Sequence, residues 1–244
     1  MISELVSIVI PVFNEGEDLV PYLDDVLAEV RSRGEVLIVH DMVEDTTVEI
    51  AAEYMRAGKP VRPVLNTLGA GPAYAIRHGI AAARGDVVVV TMADGSDDAA
   101  QIDELAALVR NGAAVAVASR YMRGGRQVGG PPLKAALSRI AGVSLNLLAR
   151  TGTNDPTNSF KAYRPSFIEA VGIESTAGFE IGIELVAKAT RYRQRVVEIP
   201  TTWTDRDEGK SRFRLAKWVP SYMRWWLFAL GPKLEYSDNL RRNS

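Results

Sequence analysis

The chain has 244 residues, 47% of them hydrophobic and 24% charged, with a formal net charge of −1. That length suits one sizeable core, and the balance excludes a disordered chain or a surface with a general affinity for nucleic acid. Cysteine is absent, which also excludes a disulfide framework and a thiolate metal site.

The opening MISELVSIVIPVFNEGED lacks a basic n-region and a cleavable apolar segment. No apolar run approaches the roughly 20 residues that span a bilayer. The expectation is a cytoplasmic protein that meets any membrane from its surface. Residues 5–12 form an apolar, β-branched run, and an amphipathic stretch follows at 16–31. The same alternation returns with VLIVH at 36–40 before a helix at 46–56, and with VRPVL at 61–65 before a helix at 71–84. It continues with VVVVTM at 87–92 before a helix at 99–110, and with AAVAVAS at 113–119 before a helix at 132–150. Strands alternating with helices of this length imply right-handed crossovers and a doubly wound α/β fold, a mostly parallel sheet with helices on both faces. Beyond Asn154 the pattern loosens into a helix at 180–190, a strand at 195–202, a polar loop at 205–211 and an aromatic last helix. No internal repeat or flexible linker divides the chain, so we expect one domain over 1–230 and a polar tail over 231–244.

Ligands of such sheets sit beyond the carboxyl ends of the strands, where strand order reverses. Polar clusters follow each of the first four strands: Asn14 and Glu15; Asp41 and Asp45; Asn66 with Gly69 and Gly71; and Asp94, Asp97 and Asp98 in TMADGSDDAA. Asp45, ahead of two threonines, reads first as a helix cap. The GAG of 69–71 is a poor discriminator alone. Three aspartates within five residues repel one another unless a cation or donors share the load, and hard oxygen ligands of this kind suit Mg²⁺ or Mn²⁺ carrying phosphates. A cap for the helix at 99 would account for Asp97 or Asp98 and leave Asp94 unexplained.

Taken in order, SIVIPVFNE (7–15), VHDMVEDTT (39–47), LGAGPAYAIRHG (68–79), ARGDVVVVTMADGSDD (83–98), SRYMRGG (119–125), NDPTNSFKAYR (154–164), GFEIGIE (178–184) and EIPTTWTDRDEGKSRF (198–213) resemble the family 2 glycosyltransferases. The likeness is to the branch that acts on dolichyl or polyprenyl phosphate. The resemblance implies a nucleotide-diphospho-sugar transferase fold, GT-A-like, with a nucleotide-sugar half over about 1–118, an acceptor half over about 119–211 and an amphipathic helix at about 212–230. It implies that Pro11, Asn14, Glu15 and Asp41 line the nucleoside pocket, with Glu15 near the ribose and Asp41 near the base. Asn66, Gly69, Gly71 and Ala93 would complete the donor site. Asp94, with Ser96, would hold a divalent cation, Mg²⁺ or Mn²⁺, against the donor diphosphate. Arg120 and Lys134 would face the acceptor phosphate, and the loop carrying Arg206, Lys210 and Ser211 would close over the site. Asp155 either orients the acceptor, acts as a base toward a hydroxyl acceptor, or caps a turn before Pro156. Glu184 is a further candidate, or is simply paired with a basic neighbour.

Two positions depart from the family pattern: His40 stands where paired aspartates usually begin, and Met92 where the metal loop usually carries its first aspartate. A thioether is a poor Mg²⁺ ligand, so Asp94 would rely on water, phosphate and Ser96 or Asp97. His40 reads as a hydrogen-bonded strand end. A lipid phosphate arrives ionised and needs no general base, so the implied reaction is one inverting displacement helped by positioning and charge. The alternatives are transfer to a hydroxyl of a soluble or glycan acceptor, and a sugar-nucleotide-binding protein with little turnover.

In the last helix Leu215, Trp218, Val219, Tyr222, Trp226 and Ala229 fall on one face and Arg214, Lys217, Ser221 and Arg224 on another. Such a segment either lies in a membrane interface as a peripheral contact or packs on its own domain or a second subunit.

Overall fold

The structure is a computed structural model that describes residues 4–205 and 215–236. Its strands are β1 (Val6–Pro11), β2 (Gly34–His40), β3 (Val61–Leu65), β4 (Val87–Val90), β5 (Val115–Ser119), β6 (Arg126–Val128), β7 (Lys161–Tyr163), β8 (Val196–Pro200) and β9 (Thr202–Thr204). Seven of them form a sheet in the order β3-β2-β1-β4-β7-β5-β8, while β6 and β9 pair separately. All the pairings in the large sheet are parallel except those of β7, which runs antiparallel to both β4 and β5. The chain steps outward from β1 to β3 and then returns to place β4 on the other side of β1. Strand order therefore reverses between β1 and β4, the point beyond whose carboxyl ends sheets of this kind hold their ligands.

Both faces of this sheet are apolar because helices cover both. Ile8, Ile10, Val36, Ile38, Val87 and Val89 pack on one side with Leu23 and Val26 of α1 (Val20–Glu29) and Leu105 and Ala106 of α4 (Ile102–Arg110). Their neighbours Val9, Leu37, Val39, Val88 and Val90 pack on the other with Ile76 of α3 (Pro72–Ala82) and with a later helix, through its Leu185 and Val186. The period-two switch of faces is what buried strands require, and each fully buried aliphatic side chain contributes about 1.5–3 kcal/mol of transfer free energy. Helix α2 (Thr47–Arg56) covers the β3 end. Proline in the first turn starts α3, α5 (Pro132–Ala149) and α6 (Pro165–Val171), where its missing N–H leaves no bond unmade.

The second half departs from the expectation at three points. The short β7, three residues long, and α6 appear where the sequence reads as irregular. The strand expected at 195–202 is cut at Thr201, whose N–H donates to Ser119 O, and the chain continues as β9 beside β6. The helix α7 (Ile181–Arg191) is as expected, but α8 (Leu215–Ala229) is turned differently. Trp225 and Ala229 are buried against Ile183 and Ala187 of α7 and Leu145 of α5, with Tyr222 and Trp226 beside them. Trp225 Nε1 donates to Ser175 Oγ at 3.1 Å, and Arg224 pairs with Glu174 at 2.6 Å. The aromatic side packs on its own domain, and Val219 points outward. This stretch is apolar nearly all round, so helical spacing alone did not identify the buried stripe. Among the described residues no helix is long and apolar enough to cross a membrane.

Candidate active site

The crevice is walled first by the turn after β1. Asn14 adopts a left-handed conformation with φ 55°. Its N–H donates to Asp45 Oδ2 at 2.9 Å, and its Oδ1 accepts from Thr46 N. Asp45 Oδ1 accepts from Thr47 N at 2.8 Å, so the capping reading of Asp45 holds. Thr47 Oγ1 accepts from Glu15 N and Gly16 N, which ties this turn to the start of α2. Pro11 lies buried at the end of β1.

Beyond β2 and β3, four of the expected donor-site residues form one network. Asp41 Oδ1 accepts from Asn66 Nδ2 at 2.7 Å and Asp41 Oδ2 from Gly71 N at 2.6 Å, while Asn66 Nδ2 also donates to Gly69 O. Gly71 has φ 111°, a conformation that costs a side-chain-bearing residue energy, and this turns its N–H toward the carboxylate. The Asp41 side chain is thereby fixed before any ligand arrives. His40 sits just below, buried, with Nδ1 2.8 Å from Met42 O, as a hydrogen-bonded strand end.

The three aspartates after β4 have three different jobs. Asp98 caps the following turn by accepting from Ala100 N at 3.1 Å. Asp97 folds back under the strand end, accepting from Thr91 Oγ1 at 2.9 Å and Met92 N at 3.2 Å, while Thr91 Oγ1 lies 2.5 Å from Tyr22 OH. Burial, and then the neighbouring Asp94 charge, pushes the Asp97 carboxyl up to about 7. Asp94 is exposed, as is Asp98, but Asp94 caps no helix. Its Oδ1 accepts from Ser96 N at 3.0 Å and Ser96 Oγ at 2.6 Å, and its Oδ2 has no hydrogen bond among the described residues. Ala93 is buried beneath this loop.

No group of three or more carboxylate, imidazole or thiol side chains comes together for a metal among the described residues. One exposed carboxylate with an adjacent hydroxyl still fits a hard cation that draws its other oxygens from water and a diphosphate, the usual habit of Mg²⁺. Met92 adds nothing to that set.

On the other wall Arg120, just past β5, forms a bidentate pair with Asp155, Nε to Oδ2 at 2.7 Å and Nη2 to Oδ1 at 2.8 Å. The Arg120 N–H also donates to Oδ2, and Asn158 N and Thr157 Oγ1 donate to Oδ1. Asp155 is 0% exposed with both oxygens engaged, so it acts as the anchor of Arg120 and offers no face to a hydroxyl substrate. Burial opposes the Arg120 charge, but the hydrogen bonds and charge of Asp155 outweigh it and hold the guanidinium above its usual value. Tyr121 stacks beneath, its ring centroid 4.8 Å from the guanidinium carbon. Ser138 Oγ on α5 and Thr157 Oγ1 lie 3.5 and 3.4 Å from Arg120 Nη2, and 2.7 Å from each other. Sequence reasoning missed both hydroxyls, since only the fold brings them to Arg120. Lys134, half-buried on the first turn of α5, has its amine held below the usual lysine range by burial and then by Arg120, against the pull of Asp205 and Asp94.

Lys161 was missed as well. Its ammonium is fully buried and donates to the carbonyls of Pro156 and Asn158, which secures the loop that carries Asp155. Glu184 lies elsewhere in the wiring: its oxygens accept from Glu174 N and Ser175 N and pair with Lys188 at 2.7 Å. It is 0% exposed, so the alternative of pairing with a basic neighbour holds. Arg206, Lys210 and Ser211 lie outside the described residues.

A reversal-point crevice with a pinned Asp41 network on one side and a clamped arginine on the other defines a nucleotide-diphospho-sugar transferase fold. The chain belongs to the family 2 glycosyltransferases, for the family described as Glycosyl transferase family 2 matches residues 7–172. It is a glycosyltransferase enzyme. It is 31% identical over 225 residues to a dolichol-phosphate mannosyltransferase of Pyrococcus furiosus, an alignment covering 90% of this chain and 62% of that longer protein. It is 30% identical over 227 residues to the polyprenol monophosphomannose synthase of Mycolicibacterium smegmatis, covering 86% and 85% of the two chains. An undecaprenyl-phosphate mannosyltransferase of Micrococcus luteus is 28% identical, with 91% and 93% covered. Among solved structures, glucosyl-3-phosphoglycerate synthase from Mycobacterium tuberculosis, in complex with Mn²⁺, uridine diphosphate and glucosyl-3-phosphoglycerate, superposes with a TM-score of 0.66 at 16% identity, covering 94% of this chain and 81% of that one. At that identity the likeness is one of fold.

Proposed function

We propose that this enzyme transfers a hexose, mannose on the example of the relatives' names, from a nucleoside diphosphate sugar to a polyprenyl phosphate, with inversion at the anomeric carbon and with a divalent cation. The observation that carries the reading is the Arg120 clamp. Its guanidinium is oriented by Asp155 and flanked by the Ser138 and Thr157 hydroxyls. Two anionic ligands side by side need this arrangement, a cationic wall for one and a carboxylate-held cation for the other. The three relatives named above take lipid phosphates by name. Within the single domain proposed over 1–230, the donor side falls in the first half and the acceptor side in the second.

In this reading Asp41, Asn66, Gly69 and Gly71 shape the nucleoside pocket with Pro11, Asn14, Glu15 and Ala93. Asp94 and Ser96 would hold Mg²⁺ or Mn²⁺, and the solved synthase named above was crystallised with Mn²⁺. When bound, the cation offsets negative charge on the departing nucleoside diphosphate. Arg120 and Lys134 hold the acceptor phosphate in line despite its repulsion from the donor, and Arg206, Lys210 and Ser211 would close the site. The acceptor oxygen is already ionised, so the displacement needs no base. The engaged state of Asp155 argues against transfer to a hydroxyl, which would require one. The test is a transfer assay with Mn²⁺, a panel of guanosine and uridine diphosphate sugars and a short polyprenyl phosphate, with products read by mass spectrometry. Lipid-linked hexose from one donor is expected, and donor hydrolysis without lipid product would refute the acceptor assignment.

A further inference from the structure

The buried face of α1 is apolar but for one atom. The helix turns Tyr22, Leu23 and Val26 inward, and Tyr22, 2% exposed, packs in the same cluster as Ile8, Ile10 and Val89. A phenylalanine would fill that space equally well, so the phenol oxygen has a separate reason to be there, and once buried it needs a partner. Its partner is Thr91 Oγ1, at 2.5 Å and 69 residues away in the chain. Thr91, 0% exposed, lies one residue past β4 and donates in turn to Asp97 Oδ2 at 2.9 Å. A hydroxyl has one proton, and that of Thr91 is committed to the carboxylate, so the Tyr22 phenol is the donor to Thr91. Phenol, hydroxyl and carboxylate form a directed chain from the core to the loop after β4.

Asp97 is where that chain meets the site. The same Oδ2 accepts from Met92 N at 3.2 Å, which closes the loop 92–97 across its base and leaves Asp94 at the tip. Gly95 makes the turn with φ 63°, and Ser96 reaches Asp94 Oδ1 with both its N–H and its hydroxyl. The direction of Asp94 Oδ2 therefore depends on the closure of the loop, and the closure on the Asp97 carboxylate. Met92 brings no ligand oxygen to this loop. A cation held by one carboxylate is sensitive to where that carboxylate points, and groups behind a ligand set its direction.

We propose that Tyr22 is a positioning residue of the cation site: its phenol, acting through Thr91 and Asp97, holds the 92–97 loop so that Asp94 presents its open oxygen to the donor's cation. The inference deepens the proposed function and rests on its assignment of Asp94 and Ser96 to Mg²⁺ or Mn²⁺. Tyr22 itself touches neither cation nor substrate. It makes α1, a helix that lends no side chain to the crevice, part of what shapes the donor site.

The test is calorimetric titration of guanosine diphosphate and uridine diphosphate, each with and without Mn²⁺, into the full chain and into four variants. Tyr22→Phe removes the phenol oxygen alone, and Thr91→Val breaks the chain at its middle with little change of shape. Thr91→Ser keeps the hydroxyl, and Tyr54→Phe deletes a different phenol, the one that donates to Asp24 of α1. The gain in nucleotide affinity that Mn²⁺ confers should fall by about fivefold in Tyr22→Phe and in Thr91→Val. It should hold in Thr91→Ser and Tyr54→Phe, and metal-free affinity should hold in all four. Tyr22→Phe combined with Thr91→Val should lose no more than either alone, since one chain is cut twice. In the metal-free protein, amide hydrogen exchange of the 91–98 segment should quicken by about threefold or more in Tyr22→Phe, while that of β1 and β2 stays unchanged. An undiminished Mn²⁺ gain in Tyr22→Phe would overturn the proposal, as would a loss of metal-free affinity equal to the loss with Mn²⁺, the mark of a loosened fold. A gain that Asp94→Ala abolishes and Tyr22→Phe leaves intact would uphold the cation reading and remove Tyr22 alone. If Mn²⁺ tightens neither nucleotide in the unaltered protein, the cation reading itself fails and the proposal with it.

Discussion

Asp94 and Asp155 stand on facing walls of one crevice and differ in every physical respect. Asp94 is exposed, held on one oxygen by its neighbour Ser96, and leaves the other oxygen open. Asp155 is sealed from water and holds an arginine that lies 35 residues earlier in the chain. A carboxylate near water can accept a cation at little desolvation cost, while a buried one must already have its partner. In the proposed reading the Asp94 side, which would take the donor, is thus suited to receive charge, and the Arg120 side, which would take the acceptor, to present a charge that is already oriented.

The comparison is broken most forcefully at Asp155. Asp155→Asn leaves the Arg120 guanidinium buried without its counter-charge, and we expect a loss of about 3–5 kcal/mol of stability in chemical denaturation. The Michaelis constant for the acceptor should rise while nucleotide affinity holds. Unchanged stability together with a collapsed turnover would instead make Asp155 a base.

A smaller effect comes from Lys161 beneath it. Burial holds this amine down to about 7, against the opposing Asp155 charge. Above that pH the folded protein has released a proton that the unfolded chain keeps until the ordinary lysine range. Stability from this group is therefore lowest below about pH 7 and rises as pH climbs from there. Lys161→Met should flatten that rise in melting curves collected from neutral to alkaline pH, and an undiminished slope would remove Lys161 from the account.

The donor wall was the more legible part of the sequence. Runs such as Val87–Val90 are apolar on both faces, end in polar residues and alternate with helices, which is a local signal of a parallel sheet and of where its strands end. The family motifs of 7–15 and 83–98 lie on those strand ends. The acceptor wall depends on contacts that no local pattern carries. The three residues of β7 are too few for a periodicity, and the aspartate of NDPTNSF resembles a turn cap until folding brings Arg120 to it. The outward leucines of α5 look like core positions in the sequence, because helical spacing shows that a stripe exists without showing what lies opposite. The triple-aspartate loop falls between these cases. Its crowding signalled Asp94, but the inward turn of Asp97 depends on Thr91 and Tyr22.

The measurement that bears most directly on the two-walled site is calorimetric titration of guanosine and uridine diphosphates into the protein and into Asp94→Ala, with and without Mn²⁺. The account predicts that Mn²⁺ tightens binding of one nucleotide to the unaltered protein by at least about tenfold, and that Asp94→Ala abolishes this gain while it leaves metal-free affinity intact. An equal Mn²⁺ effect in both proteins would contradict the assignment of Asp94 as the residue that holds the cation.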